Sequence, residues 1–475
     1  MYSKKDSVYT IKSSKLVHND ILPTKDEDRI MNWHDVIWLW LGMAAQMGVF
    51  LLGASFVGKL SFYEAILAIL IGNLGASIVL ILIGDIGIEH GLNYATFIRA
   101  PFGYFGSYIP MIVRAIAGIC WFGIQTYFGA SAIDLVINHF TGYSNIQLFF
   151  FIFAIIQIII TAKGIKGIKL AENLSAPALL ILCLFVIYLF TSKLTFNGIL
   201  NFPIKEKMNF WVAVTVNLSY WSTVSINITD FTRFVKIKSN SKNFFSRNFH
   251  SLIGQIIGAP IGMIIFSLVG MLGTMATGYG NPVEAILSSL PNAILIIVGL
   301  IIIILAQLST NIAANLFAPG NILNTIGSPK INFSKGVIIS GIIGMLTFPW
   351  ILIKFFLTYL PTLGAFLSPI IGIMLSDYYL IRKRNLNVID LFQKGEYYYF
   401  YGFNPAALIT YICSSIVGIL YLNYSWLLCL PTSLILYYVL MKNWVIKKYK
   451  QKEISDTNDE FLSTSAGNEK DIKII

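Results

Sequence analysis

Charge is what this sequence has least of. Only 12% of its 475 residues are Asp, Glu, Lys or Arg, against roughly a quarter in ordinary soluble domains. A water-soluble chain of this length could not cover its cores with so little polar surface. Cysteine is also sparse: Cys120, Cys183, Cys413 and Cys429 are the whole set. All four fall inside apolar stretches without metal-ligand spacing or an evident disulfide framework, and they read as small core residues. No HExxH, no paired acidic residues within an apolar block and no Ser/His arrangement occurs, which argues against an enzyme. The net charge of +11 does not point to nucleic acid, because Lys and Arg occupy short gaps between apolar blocks rather than one basic face.

What the chain has instead is hydrophobic residues, 56% of the total. They come in blocks of about 18 to 25, enough to cross about 30 Å of hydrocarbon as helix. Twelve candidate spans follow: 33–57, 62–86, 105–137, 146–162, 171–190, 210–229, 252–275, 292–316, 336–350, 352–375, 405–422 and 426–441. The junction of the ninth and tenth, at Pro349, is the least distinct. With the N-terminus placed in the cytoplasm, 28 Lys and Arg fall on that side and 5 on the other, with Arg114 left inside a span. That asymmetry supports the span count and cytoplasmic termini; the expected location is the plasma membrane. Residues 1–30 are polar, carry no signal-peptide pattern and read as a cytoplasmic tail. Residues 31–443 form the transmembrane domain, and 444–475 a second tail. The polar stretch after Lys452 is expected to be disordered.

Three spans carry polar residues that lipid should discourage. The first holds Gln46 among Gly42, Gly48 and Gly53. The sixth holds Asn217, Ser219, Tyr220, Trp221, Ser222, Thr223 and Asn227. The eighth holds Gln307, Ser309, Thr310, Asn311 and Asn315. At such depth polar groups face a bundle interior or a water-filled cavity and mark pathways. Isolated Ser or Thr residues also serve as interhelical hydrogen-bond links, but three clusters in corresponding places favour a site. The first and sixth spans lie five apart, as expected of two inverted repeats, about 33–190 and 210–376, with extra helices at about 405–441. In that architecture the first helix of each repeat breaks near mid-membrane and offers carbonyls and half-helix ends to substrate and ions. Among the ionisable residues, Asp85, Glu89, Arg99, Arg114, Asp230 and Arg233 suit gating or structural ion pairs, whose partners the sequence does not reveal.

At these residues the chain resembles a family. The strings NWHDVIWLWLGMAAQ, ICWFGIQTYFGA, NITDFTR and LSTNIAANLFAP are similar to those of the nucleobase:cation symporter-1 family, which includes hydantoin, allantoin, cytosine and uracil permeases. The resemblance runs from about Ile21 to about Tyr379, with two less distinctive helices after it. It implies an all-α, twelve-helix membrane protein of the LeuT type, a five-plus-five inverted repeat with helices 1 and 6 broken. It also implies that Trp121 stacks on the substrate while Gln125, one turn on, bonds its polar edge. Trp221, beside Tyr220, would supply the second stacking face, Asn315 a second amide, and Gln46 another part of the pocket wall.

The chemistry suits a flat heterocycle with alternating C=O and N–H groups. Aromatic platforms contribute on the order of 1–3 kcal/mol per stacked base, and a carboxamide presents donor and acceptor together. A lone Trp is more often packing or an interfacial anchor; mid-span placement and an amide at i+4 reverse that preference. For a cation, the resemblance implies the carbonyls of Gly42, Ala45 and Ala306 with the hydroxyls of Ser309 and Thr310. Neutral oxygens and no nearby carboxylate favour Na+ over H+; hydroxyls bonding back to their own helix are the alternative. The expectation is a monomeric importer of a small heterocycle with a monovalent cation, in the lipid bilayer, without nucleic acid or a bound cofactor. Rival readings are a carrier of the same fold for an amino acid or thiamine, H+ coupling, or a passive channel.

Overall fold

A computed structural model describes residues 9–11, 22–163, 165–238, 243–327, 330–454 and 472–474, the side chains of 9–11, 165–176, 309 and 472–474 excepted. The architecture is helical, apart from one short parallel pairing of Tyr9–Ile11 with Ile472–Ile474 and two isolated bridges. Helix α1 (Trp33–Ala44) is followed by α2 (Met47–Phe56), and the two meet at 66°. The long helices α3 (Phe62–His90) and α4 (Tyr108–Thr141) come next, then α5 (Ile146–Ala162) and α6 (Ile165–Ser192). Beyond them lie α7 (Phe210–Tyr220), the single turn α8 (Ser222–Ser225), α9 (Phe249–Thr277) and α10 (Ala293–Asn311). A wider π-type turn, Ile312–Leu316, leads into α11 (Phe317–Gly327), followed by α12 (Phe333–Met345) and α13 (Phe356–Leu375). The series ends with α14 (Pro405–Leu420) and α15 (Ser425–Leu440).

Local chemistry sets several of these boundaries. Ser61 starts α3 with a reciprocal cap: its hydroxyl accepts from the Glu64 amide, and its own amide donates to the Glu64 carboxylate at 2.9 Å. Gly91, at φ 67°, stops the same helix in a conformation that costs other residues more. The region of the ninth and tenth spans divides differently from the expected 336–350 and 352–375. Phe348 turns the chain at φ 50°, and Pro349 opens a short helix, Pro349–Lys354, instead of closing the preceding span. Proline suits a first helical position, where no amide donor is needed.

The bundle buries polar residues within an extensive apolar core and exposes apolar side chains on its outside. Asn73, Asp85, Gln157, Asn217 and Asn311 are fully buried, while Ile78, Ile116, Ile181, Ile294 and Leu420 are exposed. Among the described residues, six helices are long and apolar enough to cross a membrane, or seven if α1 and α2 form one bent span. Helix α9 packs along both halves of that bend. Gly258 faces Ile37 and Trp40 of α1, and a Cβ at Gly270 would lie 1.8 Å from the Phe50 carbonyl oxygen of α2. Such contact lets backbones meet where lipid provides no hydrophobic drive for association.

Several of the ionisable residues left unpaired by sequence find partners in the fold. Asp85 takes a two-point bond from Arg384 at 2.8 and 2.9 Å and another from Asn248 at 2.6 Å. Glu89 pairs with Arg247 at 2.7 Å and Arg384 at 3.4 Å. Burial opposes the Arg384 charge, but Asp85 and Glu89 outweigh it and hold the guanidinium above its ordinary range. Arg99 donates to the Leu391 carbonyl at 2.8 Å. The expectation of disorder after Lys452 fails at the first residue. Glu453 is buried, pairs with Arg382 and accepts from the Tyr397 hydroxyl at 2.6 Å. Most of the tail beyond it lies outside the described residues.

Candidate functional site

The chain opens between α1 and α2 because Ala45 (φ −75°, ψ 62°) and Gln46 (φ −144°, ψ 154°) both leave helical geometry. The sequence there is Gly-Met-Ala-Ala-Gln-Met-Gly, and flanking glycines weaken helix on both sides. The other faces of the site come from α4, the junction of α7 and α8, and the π-type turn after α10. Such turns often mark functional sites. Together they form a small cavity lined by Met43, Gln46, Trp121, Gln125, Tyr220, Trp221, Thr223, Val224, Thr310, Ala314 and Asn315. All six residues expected to contact substrate line this one cavity.

The carboxamides are linked in chains. Gln46 donates to the Met43 carbonyl at 3.0 Å and accepts from the Gln125 amide nitrogen. Asn315 donates to Asn311 at 2.8 Å. Asn311, buried behind it, donates to Gln157 at 2.7 Å, Thr126 at 3.0 Å and the Phe122 carbonyl at 3.1 Å. Thus Asn315 is aimed by a polar network joining α10, α4 and α5. The sequence placed Asn311 in a polar cluster but revealed no role for it. Gln125 Oε1, the Tyr220 hydroxyl and the Thr223 hydroxyl are buried without a hydrogen-bond partner among the described residues. Buried polar groups left so are costly, and here they lie on the cavity wall.

The aromatic residues hold one another edge to face. Trp121 meets Tyr220 at 5.1 Å and Tyr359 at 5.7 Å between ring centroids. Trp221 meets Tyr220 at 5.4 Å and Trp40 at 4.9 Å. Its indole nitrogen donates to Asn73 of α3 at 2.7 Å. Asn73 went unnoticed in sequence, since a single Asn in an apolar run carries no signal of its partner.

On the side facing α10, the Thr310 hydroxyl donates to the Gly42 carbonyl at 3.1 Å. This contact joins two members of the expected cation set across two helices. Ala45 lies at the break and Ala306 one turn before Thr310, while the Ser309 side chain lies outside the described residues. Among the described residues, no group of three His, Cys, Asp or Glu is placed to hold a metal. Below the cavity, Arg114 donates to Asn227 at 2.9 Å and to the Ala314 carbonyl, in the π-type turn, at 3.1 Å. Asn227 in turn donates to Asp230 at 3.0 Å.

Comparison with known proteins places this arrangement. The family described as "Permease for cytosine/purines, uracil, thiamine, allantoin" matches residues 23–445. The purine-uracil permease NCS1 of Arabidopsis thaliana is 32% identical over 437 residues, covering 84% of this chain and 70% of the plant protein. The hydantoin permease of Microbacterium maritypicum is 30% identical over 452 residues, covering 93% and 92%. Among solved structures, Mhp1 in a closed conformation with bromovinylhydantoin bound superposes with a TM-score of 0.85 at 29% identity, covering 93% of this chain and 98% of that one. Its inward-facing conformation gives 0.87 at 28%, covering 98% and 99%. A Na+-coupled sialic acid symporter, at 14% identity and a TM-score of 0.54 over 84% and 89%, shares the fold alone. These relatives are permeases, not enzymes. The chain is therefore a multi-pass membrane permease belonging to the nucleobase-cation-symport-1 family.

Proposed function

We propose that this permease is a secondary active symporter that imports a heterocycle of the hydantoin, allantoin, uracil or cytosine type together with a coupling cation, Na+, by alternating access. The observation that carries the reading is the cavity at the α1–α2 break, with two indoles and three carboxamides on its wall. A planar cyclic amide presents two faces to the aromatic side chains and an alternating polar edge to Gln125, Gln46 and Asn315. In this reading the five shorter apolar helices also cross the membrane. With the seven spans that count α1 and α2 as one, they make the twelve segments of a five-plus-five inverted repeat with two helices added. The protein acts as a monomer in the plasma membrane with both termini in the cytoplasm.

The cation is assigned to carbonyls of Gly42, Ala45 and Ala306 and hydroxyls of Ser309 and Thr310. The contact between Thr310 and Gly42 supports this, because an ion there would bridge α10 to the broken helix whose other side lines the ring pocket. No carboxylate lines the cavity, which favours Na+ over a proton. Coupling requires that ion and ring bind one conformation better than the other, since a ligand shifts an equilibrium only by its differential affinity.

The test is tracer uptake into liposomes containing the purified protein, under an inward Na+ gradient, a proton gradient or neither. Accumulation of a ring driven by Na+ supports the proposal, and uptake indifferent to both gradients refutes coupling. Trp121→Ala and Asn315→Ala are expected to abolish uptake in protein that still folds; wild-type uptake in either would remove the site assignment.

A further inference from the structure

Tyr220 stands between the two tryptophans of the cavity. It is the last residue of α7, and both it and its neighbour Trp221 line the cavity. Its centroid lies 5.1 Å from Trp121 and 5.4 Å from Trp221, with interplanar angles of 63° and 80°. These are ordinary edge-to-face contacts, so the tyrosine ring packs against both indoles. Gly48 makes room for it: a Cβ there would fall 2.8 Å from the Tyr220 oxygen and 3.3 Å from the Trp121 ring.

The hydroxyl shows that filling space is not the whole role. Tyr220 is 3% exposed, and its oxygen has no hydrogen-bond partner among the described residues. Phenylalanine would fill the same volume without an unsatisfied buried polar atom, which costs free energy unless something bonds it. The residue lines the cavity together with Gln125, whose Oε1 is likewise unpartnered.

We propose that Tyr220 is the residue that sets cargo size. It admits single-ring cyclic amides, closes the site to fused two-ring purines, and bonds the polar edge of the admitted ring through its hydroxyl. This rests on the ring-transport reading above and names the class of ring within it.

The experiment measures binding of uracil, hydantoin and allantoin, and of hypoxanthine, xanthine and guanine, to the full-length protein in liposomes. Wild type is compared with Tyr220→Phe, Tyr220→Ala and Tyr220→Leu, the last keeping apolar bulk if alanine fails to fold. Wild type is expected to bind fused rings about tenfold or more weaker than its best single ring, the scale on which apolar pocket size discriminates. Tyr220→Ala or Tyr220→Leu should shift that ratio about tenfold toward fused rings. Tyr220→Phe should keep the rejection and weaken single-ring binding about tenfold, as expected when a buried hydrogen bond is lost. Equal wild-type affinity for both classes overturns the size role, as does an unchanged ratio in folded Tyr220→Leu that still binds single rings. Unchanged single-ring affinity in Tyr220→Phe removes the hydroxyl's part. If folded wild type binds no ring of either class, the transport reading itself falls and takes this inference with it.

Discussion

Replacing Asn73 with alanine isolates how the second indole is held. Trp221 Nε1 donates to Asn73 Oδ1 at 2.7 Å, with Trp221 2% and Asn73 0% exposed. Interhelical hydrogen bonds in membrane proteins average about 0.6 kcal/mol and reach about 1.7. The short distance and complete burial put this bond near the upper figure. Asn73 makes two further bonds, to the Ile69 carbonyl at 2.7 Å and to Asn217 at 3.3 Å. The first is within its own helix, and the second is longer and contributes less. Losing about 1.5 kcal/mol in the orientation the indole needs for ring binding weakens affinity about tenfold. The assay is titration of purified Asn73→Ala with the single-ring probe that wild type binds best, alongside thermal unfolding. Asn217→Ala removes the longer bond and the bond of Asn217 to the Ala213 carbonyl within its own helix, at 2.9 Å, but leaves that of Trp221 to Asn73; it serves as comparator and should cost less than half as much in ring affinity, expressed as free energy. A wild-type dissociation constant for Asn73→Ala would refute the argument that this residue positions Trp221.

Three other outcomes follow from the geometry. Thr310→Val keeps volume but removes the hydroxyl bonded to Gly42. Stability should fall by about 1 kcal/mol, and the Na+ concentration for half-maximal uptake should rise about tenfold. An unchanged Na+ dependence would detach Thr310 from the ion. Gly270→Ala puts a methyl 1.8 Å from the Phe50 carbonyl oxygen; rigid backbone cannot yield cheaply, so a loss of about 1–3 kcal/mol or more is expected in thermal unfolding. Gly280→Ala, with nothing within 4 Å of the new Cβ, should be close to neutral. Arg384→Ala strands Asp85, but the bonds from Asn248 and from the Tyr379 hydroxyl at 3.2 Å remain. The cost should then fall below the roughly 3–5 kcal/mol typical of breaking a buried pair, readable as a lower melting temperature.

Much of the site was legible in the primary structure because the membrane makes polar residues conspicuous. Gln46, Gln125 and Asn315 stand out in apolar runs, and Trp121 and Gln125 are spaced to share one helix face. The structure brings both, with Trp221 and Tyr220, to one cavity. What was not legible were partners across helices. Nothing local to Asn73 says that it bonds an indole 148 positions away, nor does Asn311 announce its bond to Gln157 over 154. Glu453 looked like one more polar tail residue, yet the Arg382 guanidinium draws it into a buried network.

Sequence by itself settled the solvent, the family and the residue types available to the pocket, because length, hydropathy and motif strings are properties of the chain read in order. It also marked where α1 would weaken, since glycine lowers helix propensity wherever it occurs. Only tertiary structure decided which polar groups satisfy each other and which are left facing the cavity. Hydrogen bonds such as those of Trp221 to Asn73 and Asn315 to Asn311 close only after helices pack. The unpartnered oxygens of Tyr220 and Gln125 are what that packing leaves over, so the chemistry offered to a cargo depends on distance in space rather than on position along the chain.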